Sequence, residues 1–235
     1  MYRQKGGRPA IRWSMEMFSG YQQTRRGFLA GLAAVAAGGI QRPVSAASLF
    51  ATPQQNEGPF YPIDLPLDRD TDLVRVAGRS GTAKGEIVHL FGRVLDEAGR
   101  PVTGTRVEIW QCDAFGHYHH VGQAGERSDP DFQGYGVTTA EPDGAYRFRT
   151  IKPVPYPGRA PHIHFAITGR GIERLTTQIY IKGHPANERD FLYRNLDDEK
   201  ARDSVSVSFA PAPQIGPDAV ASNFDIVLGR NTLRG

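Results

Sequence analysis

The sequence predicts an all-β fold, an antiparallel β-sandwich with long active-site loops and an extended N-terminal arm. Three observations support this prediction. Short segments alternate between apolar and polar side chains, turn residues separate these segments, and helical periodicity is weak. An α/β fold would instead need long amphipathic crossover helices. With 235 residues and 39% apolar content, the chain can bury one substantial core.

The N-terminal region carries the basic charge of the chain. Residues 1–46 hold seven Lys/Arg side chains and one acidic side chain. The whole chain holds 28 Lys/Arg and 25 Asp/Glu side chains. Subtraction leaves 21 basic and 24 acidic side chains, a net of −3, for residues 47–235. Nucleic-acid binding usually requires a basic surface. We therefore expect no nucleic-acid partner for the body of the chain.

The basic region also has the layout of an export signal. Thr24-Arg25-Arg26-Gly27-Phe28-Leu29 is a twin-arginine pattern, Gly27–Ile40 is a short uncharged run, and Val44-Ser45-Ala46 matches a small-residue cleavage site. The run is too short and Gly-rich for a stable membrane span. Residues 1–46 are therefore predicted to be a signal region that directs export to the periplasm or the exterior. An amphipathic N-terminal helix is the alternative.

The rest of the chain divides into an arm and a body. Residues 47–84 are rich in Pro, Gly and Asp without periodicity, which indicates an extended arm lying across residues 85–235. Alternation in that body predicts strands at Ile87–Leu95, Thr105–Gln111, Ala145–Ile151, His162–Ile167, Leu175–Ile181 and Phe224–Leu228. Residues 187–195 are predicted to form one or two helical turns. The long loop 115–136 is rich in aromatic residues and histidines, which favours a functional role over disorder.

One predicted strand carries the main candidate site. In His162-Ile163-His164, both imidazoles point to one face of the strand, because successive side chains alternate. The two histidines can therefore grip one metal ion. A polar strand face without a metal is the alternative for this pattern alone.

Tyrosines supply the other candidate ligands. Tyr156 lies in a stiff Pro155-Tyr156-Pro157 turn six residues before His162, and Tyr118 follows the strand 105–111. A phenol has an ordinary pKa near 10. Two phenolates at neutral pH therefore need a highly charged, oxygen-preferring ion, and Fe(III) is the best match. Copper or zinc in the same cage remains an alternative.

Several motifs in order resemble the intradiol ring-cleavage dioxygenases, most closely the protocatechuate 3,4-dioxygenase type. The resemblance covers roughly residues 52 to 228. The motifs that carry it are Glu57-Gly58-Pro59-Phe60-Tyr61-Pro62, Trp110-Gln111-x4-Gly116-x-Tyr118, Tyr146-x-Phe148-Arg149-Thr150-Ile151, Pro155-Tyr156-Pro157, Arg159-x-Pro161-His162-Ile163-His164-Phe165 and Gln178-x-Tyr180.

The resemblance implies a β-sandwich enzyme that cleaves a catechol with O2 to a cis,cis-muconate-type diacid. It implies a non-haem Fe(III) held by the ligands Tyr118, Tyr156, His162 and His164. Tyr156 would also serve as a base when substrate displaces it. Arg159 would place a positive charge near the activated ring, and Gln178 would be a hydrogen-bonding partner on the next strand.

Other residues have open roles. Gly58, Pro59, Phe60 and Tyr61 are expected to contact substrate, and the alternative is that the arm packs against a neighbouring subunit of a homo-oligomer. Three further histidines are expected behind the ligands or facing solvent: His117, His119 and His120. Gly158 stands where the protocatechuate enzymes usually have a tryptophan, and the loop before Arg159 is shorter. The identity of the catechol therefore stays open.

A non-catalytic module is the rival function. Gly92-Arg93-Val94-Leu95-Asp96, Gly99-Arg100-Pro101-Val102 and Gly144-Ala145-Tyr146-x-Phe148 also resemble transthyretin-like or carboxypeptidase-regulatory β-sandwich modules. That interpretation accounts for the strands, but it leaves the two tyrosines and two histidines without a role.

Overall fold

The computed structural model of the chain describes residues 48–66, 68–119 and 128–233. The predicted signal region, residues 1–46, lies outside the described residues, so export stays a prediction. The strands are β1 Ile87–Asp96, β2 Arg106–Trp110, β3 Tyr135–Thr139, β4 Ala145–Ile151, β5 His162–Gly169, β6 Ile172–Ile181, β7 Ser206–Val207, β8 Ala210–Pro211, β9 Val220–Asn223 and β10 Ile226–Leu228.

The strands form two five-stranded sheets, and the predicted β-sandwich is confirmed. One sheet has the order β10-β1-β9-β8, with β4 also paired to β1, and the other has the order β3-β2-β5-β6-β7. The long strands pair antiparallel, as predicted. The short strands β7, β9 and β10 add parallel pairs. Parallel strands need a long connection between them. Long segments separate β7 from its partner β6, and β9 and β10 from their partner β1.

The alternating apolar side chains build the core between the sheets. Val107 and Ile109 of β2 are fully buried, and Ile163 and Phe165 of β5 face the same core. Burial of each such side chain contributes roughly 1.5–3 kcal/mol. Beyond the predicted strands, β3 begins at Tyr135, inside the segment expected to be a loop.

The arm covers the outer face of the second sheet, which buries β5 on both sides. The Gln55 amide N–H donates to the Thr176 carbonyl at 2.8 Å. The Gln55 side chain donates to Thr177 Oγ1 at 3.0 Å and to the Gln178 carbonyl at 2.8 Å. All residues of β5 from His162 to Ile167 are consequently buried. The polar side chains on this outer face therefore lie under the arm rather than in bulk water.

Short helices follow β6. Residues 187–195 fall within a 3-10 helix, Pro185–Arg189, and the one-turn helix α1, Phe191–Arg194, where one or two turns were predicted. A further helix, α2, spans Glu199–Ser204 and was not predicted. Across the three described ranges, no helix combines the length and apolar character that a bilayer crossing requires.

A close backbone contact fixes β1 against the C-terminal strands. Between the pairings of β9 and β10 with β1, the Phe224 N–H donates to the Phe91 carbonyl at 2.9 Å. Asp225 accepts from the Arg93 N–H at 2.9 Å through its side chain. A Cβ at Gly92 would lie 1.8 Å from the Phe224 carbonyl oxygen, so only glycine fits there without a backbone shift.

We predict that Gly92→Ala destabilises the fold by at least about 1–3 kcal/mol, because the added methyl forces Phe224 away from β1. Gly216→Ala is the matched control, since its added Cβ would meet only the Ala219 Cβ at 3.9 Å. The control should change stability by less than about 0.5 kcal/mol. Urea unfolding of both variants measures the difference, and equal midpoints would contradict the contact.

Candidate active site

Strand β5 directs two imidazoles to the outer face of its sheet. The Nε2 atoms of His162 and His164 lie 3.1 Å apart. The His162 Nδ1 lies 2.6 Å from the Ala160 carbonyl oxygen. Because a carbonyl only accepts, Nδ1 carries the hydrogen, and the Nε2 of the neutral ring presents a lone pair. The structure therefore orients His162 as a metal ligand would be oriented.

Trp110 holds the second imidazole. Its ring stacks on His164 with centroids 4.7 Å apart and planes 10° apart. The two residues are paired across β2 and β5. The His164 Nδ1 has no hydrogen-bond partner among the described residues. Stacking on a bulky neighbour, rather than hydrogen bonding, thus sets the orientation of this ring.

Tyr118 reaches the histidines from the loop after β2. Its hydroxyl lies 3.5 Å from the His162 Nε2, and its side chain is buried. The buried Asp113 carboxylate shapes this loop by accepting the backbone N–H groups of Phe115, His117 and Asp129. Burial alone would raise the pKa of Asp113, but hydrogen bonds from His119 and these N–H groups lower it to about 2. The loop is therefore held by a permanent carboxylate.

Tyr156 enters from a tight turn. The Arg159 N–H donates to the Tyr156 carbonyl at 2.9 Å, and Gly158 at the third position has φ +82°. Proline followed by a positive-φ glycine is typical of a type II turn. The positive φ at position 158 is a conformation that glycine adopts readily. The ring of Tyr156 stands perpendicular to that of Tyr118, with centroids 5.8 Å apart.

Burial keeps all four donors neutral in the metal-free protein. It raises the pKa of Tyr118 well above its ordinary value, and it also raises that of Tyr156. Burial lowers the pKa of His162 to about 3 and that of His164 well below its ordinary value. Two neutral imidazoles thus stand beside two phenols that need a strong cation to ionise. This donor set fits a hard, highly charged metal ion.

Carboxylate and thiolate side chains do not form a metal-binding cluster in the described parts of the chain. Residues 48–66, 68–119 and 128–233 contain no group of three or more His, Cys, Asp or Glu side chains that could hold a metal. Cys112 is buried, and burial raises the pKa of its thiol to about 12. The described residues therefore offer tyrosine and histidine rather than a carboxylate or thiolate site.

Arg159 and Gln178 lie beside this cluster, where the sequence placed them. Arg159 Nη1 donates to the Tyr156 hydroxyl at 3.4 Å, and Nη2 donates to Gln178 Oε1 at 2.6 Å. Gln178 Nε2 in turn donates to the Asn56 carbonyl at 2.8 Å. Sequence reasoning missed Asp190, which accepts from Arg159 Nε at 2.9 Å. The only signal for Asp190 was its position before a short helical segment.

The arm segment 58–61 forms a wall of the site. The Phe60 ring stacks on Tyr118 with centroids 4.4 Å apart, and its edge meets Tyr156 at 6.0 Å. The Gly58 backbone lies against His164, since a Cβ there would be 3.7 Å from His164 Cε1. Pro59 between them is exposed. The expected substrate wall is therefore formed mainly by Phe60 and Gly58.

Tyr61, which was expected to contact substrate, contacts residues of strand β2. Its hydroxyl donates to Glu108 Oε2 at 3.1 Å, and its ring meets the Trp110 ring edge-on at 5.0 Å. Tyr61 therefore fastens the arm to β2. His117 and His119 lie near the Asp113 carboxylate, at 3.9 and 3.7 Å. His120 lies outside the described residues.

Comparisons with known proteins agree with this geometry. A family model described as "Dioxygenase" matches residues 56–230. The chain belongs to this dioxygenase family. A protocatechuate 3,4-dioxygenase beta chain from Burkholderia cepacia is 41% identical over 172 residues, which cover 69% of this chain and 72% of that protein. A hydroxyquinol 1,2-dioxygenase from Corynebacterium glutamicum is 33% identical, over 73% of this chain and 61% of that protein.

Solved structures give the same result for the fold. The dioxygenase domain of a dioxygenase–carbohydrate-binding fusion from Streptomyces sp. SirexAA-E superposes with a TM-score of 0.59 and 32% identity, covering 77% of this chain and 99% of that one. The chain spans about half to two thirds of the length of the catechol and hydroxyquinol relatives that it matches. The predicted enzyme class, an intradiol ring-cleavage dioxygenase, is confirmed.

We predict that the metal-free dioxygenase loses stability as pH falls below about 6.5. Unfolded histidine binds a proton near the ordinary pKa of 6.5, whereas folded His162 does so only near 3. Each buried imidazole therefore lowers the free energy of unfolding by up to about 1.4 kcal/mol per pH unit in this window. Denaturant unfolding between about pH 7 and 5 measures the slope. His162→Gln combined with His164→Gln should flatten it, and an unchanged slope would contradict the assignment.

Proposed function

We propose that the chain is a non-haem Fe(III) enzyme that inserts oxygen between the two hydroxylated carbons of a catechol and yields a cis,cis-muconate-type diacid. Tyr118, Tyr156, His162 and His164 are the proposed metal ligands. The observation that carries the proposal is the meeting of a buried phenol, Tyr118, and a half-buried phenol, Tyr156, with two neutral imidazoles whose Nε2 atoms lie 3.1 Å apart. Tyr118 joins them at 3.5 Å from His162 Nε2.

Fe(III) held by Tyr118, Tyr156, His162 and His164 would supply a Lewis acid for the catechol oxygens. The protein side chains would accept the substrate's protons. Tyr156 is half-buried whereas Tyr118 is buried, so the ionised Tyr156 oxygen would be the better placed of the two to accept a substrate proton. Arg159 donates to its oxygen and stabilises the ionised form. Gln178 restrains Arg159 from the other side.

Arg159 supplies a fixed positive charge next to the reacting ring. Burial by itself lowers the pKa of Arg159, but the nearby charges, with Asp190 first, raise it above its ordinary value. The guanidinium therefore stays charged at every working pH. A charge positioned before substrate arrives costs no reorganisation during the reaction and typically lowers the barrier by about 3 kcal/mol.

The substrate is proposed to be a catechol, protocatechuate or hydroxyquinol, or a larger diol of lignin or flavonoid origin. The names of the relatives support the first three. Gly158 is exposed in its turn, so this position adds no side chain to a substrate pocket. A non-catalytic binding module would have no use for the buried phenols and imidazoles beside Arg159.

We predict that the iron-loaded protein is red-brown, because phenolates bound to Fe(III) absorb visible light. Tyr118→Phe should remove most of this absorbance and cut iron binding. Tyr135→Phe is the matched control, since Tyr135 is also buried on this sheet but donates to Glu108 at 2.9 Å. Visible spectra and metal analysis of the three proteins give the result. A colourless protein with stoichiometric iron would contradict the ligand set.

We also predict that the iron-loaded enzyme consumes about one O2 per diol cleaved and forms a muconate-type diacid. An oxygen-electrode screen over catechol, protocatechuate, hydroxyquinol and caffeic acid, with mass spectrometry of the products, tests this. Arg159→Gln should reduce kcat by roughly 100- to 1,000-fold, because it removes the fixed charge. Extradiol products, or no uptake by fully iron-loaded protein, would overturn the proposed function.

A further inference from the structure

We infer that Asp190 is the positioning residue of this site: its carboxylate aims Arg159 at Tyr156 and, through Ala160, sets the orientation of His162. The inference rests on the proposed function and adds to it a residue that contacts neither metal nor substrate. Asp190 lies in the connection between the 3-10 helix and α1, and it is 1% exposed.

A single carboxylate ties two separate segments together. Asp190 Oδ2 accepts from Arg159 Nε at 2.9 Å and from the Ala160 N–H at 2.8 Å. Asp190 Oδ1 accepts from the N–H groups of Leu192 and Tyr193, at 2.9 and 3.1 Å. One oxygen therefore serves the segment that leads into β5, and the other caps α1.

The geometry of the guanidinium transmits this restraint to the site. Its three nitrogens form a rigid planar fork, so a contact that fixes Nε also fixes the directions of both Nη atoms. Nη1 then points to the Tyr156 hydroxyl, and Nη2 points to Gln178. Without Asp190, the long side chain of Arg159 could rotate away from Tyr156.

The Asp190 carboxylate also acts indirectly on the His162 imidazole. Asp190 holds the N–H of Ala160, and the carbonyl of Ala160 accepts from His162 Nδ1 at 2.6 Å. Partners of this kind fix the tautomer and the ring direction of metal-binding histidines. Their loss lowers metal affinity or activity by roughly 10- to 100-fold. Asp190 therefore couples the position of the cation to that of a proposed ligand.

A structural role alone would make Asp190 replaceable by asparagine. Asn and Asp cap helices about equally well. Asparagine, however, has only one acceptor oxygen and no charge, so it cannot serve Arg159 and α1 together. It would also leave the Arg159 charge buried without its partner, since the side chains are 10% and 0% exposed. Asp190→Asn thus separates the cap from the positioning role.

The test compares Asp190→Asn with a matched control, Asp198→Asn. Asp198 is exposed and caps α2 by accepting from the Ala201 N–H at 2.7 Å. We expect Asp190→Asn to fold and to reduce kcat by about 10- to 100-fold with little change in KM. We expect Asp198→Asn to keep wild-type kcat. Wild-type kcat for Asp190→Asn, or an equal loss for both variants, would overturn the inference.

A double-mutant cycle shows whether Asp190 acts through Arg159. In the Arg159→Met background, the further change Asp190→Asn should lower kcat by less than about 3-fold, because the group that it positions is already absent. A full 10-fold or greater further loss would overturn the claim that Asp190 acts through Arg159, because the effect would then run through Ala160 and His162 alone. Removing both charges together also avoids leaving one buried ion unpaired, which guards the fold of the double variant.

A metal-free measurement separates this inference from the proposed function. The Arg159 Nε–H signal in ¹⁵N-edited NMR spectra of the apoprotein should be slow to exchange in the wild type and in Asp198→Asn. It should shift and exchange rapidly in Asp190→Asn. An unchanged signal would overturn the positioning role whatever the activity. If wild-type enzyme cleaves no diol while the signal behaves as expected, the proposed function fails and the Asp190 contact stands.

Discussion

The site depends on a strand that is buried on both faces. Alternation along β5 sends Ile163 and Phe165 into the sandwich core and sends His162 and His164 the other way. In an ordinary sandwich the second face would meet water. Here the arm covers it, with Gln55 satisfying backbone and side-chain groups of β6. The imidazoles are therefore shielded from solvent and stay neutral, so each keeps a lone pair that can bind a metal ion.

Burial raises the cost of every polar group beneath the arm, so each must have a partner or a function. Gln178 is satisfied by Arg159 and Asn56, and Tyr180 donates to Gln55 at 3.1 Å. The Arg159 charge is balanced by Asp190. A cation would satisfy the phenol oxygens and imidazole nitrogens of the proposed ligand set together. The hydrogen-bond network thus surrounds and isolates the donor set.

The sequence predicted what local chemistry determines. Period-two alternation located the long strands, and it placed His162 and His164 on one face. Pro157 and Gly158 marked the turn that carries Tyr156. Asp190 escaped prediction, because its role depends on a contact with a residue 31 positions earlier. The short strands β7 to β9 escaped for a related reason, since their two to four residues carry little pattern of their own. The final strand β10 was located by the alternation of Phe224, Ile226 and Leu228.

The arm shows why residue type and location alone did not fix a role. Phe60 and Tyr61 are adjacent aromatics, and the sequence predicts the same contact with substrate for both. In an extended segment, neighbouring side chains point in different directions. Phe60 consequently stacks on Tyr118, while Tyr61 donates to Glu108 and lies under Arg174, whose guanidinium carbon is 4.7 Å from the ring centroid. Anchoring Tyr61 to the sheet is what holds Phe60 against Tyr118. The contacts of Tyr61 with the sheet therefore restrain the arm segment that carries Phe60.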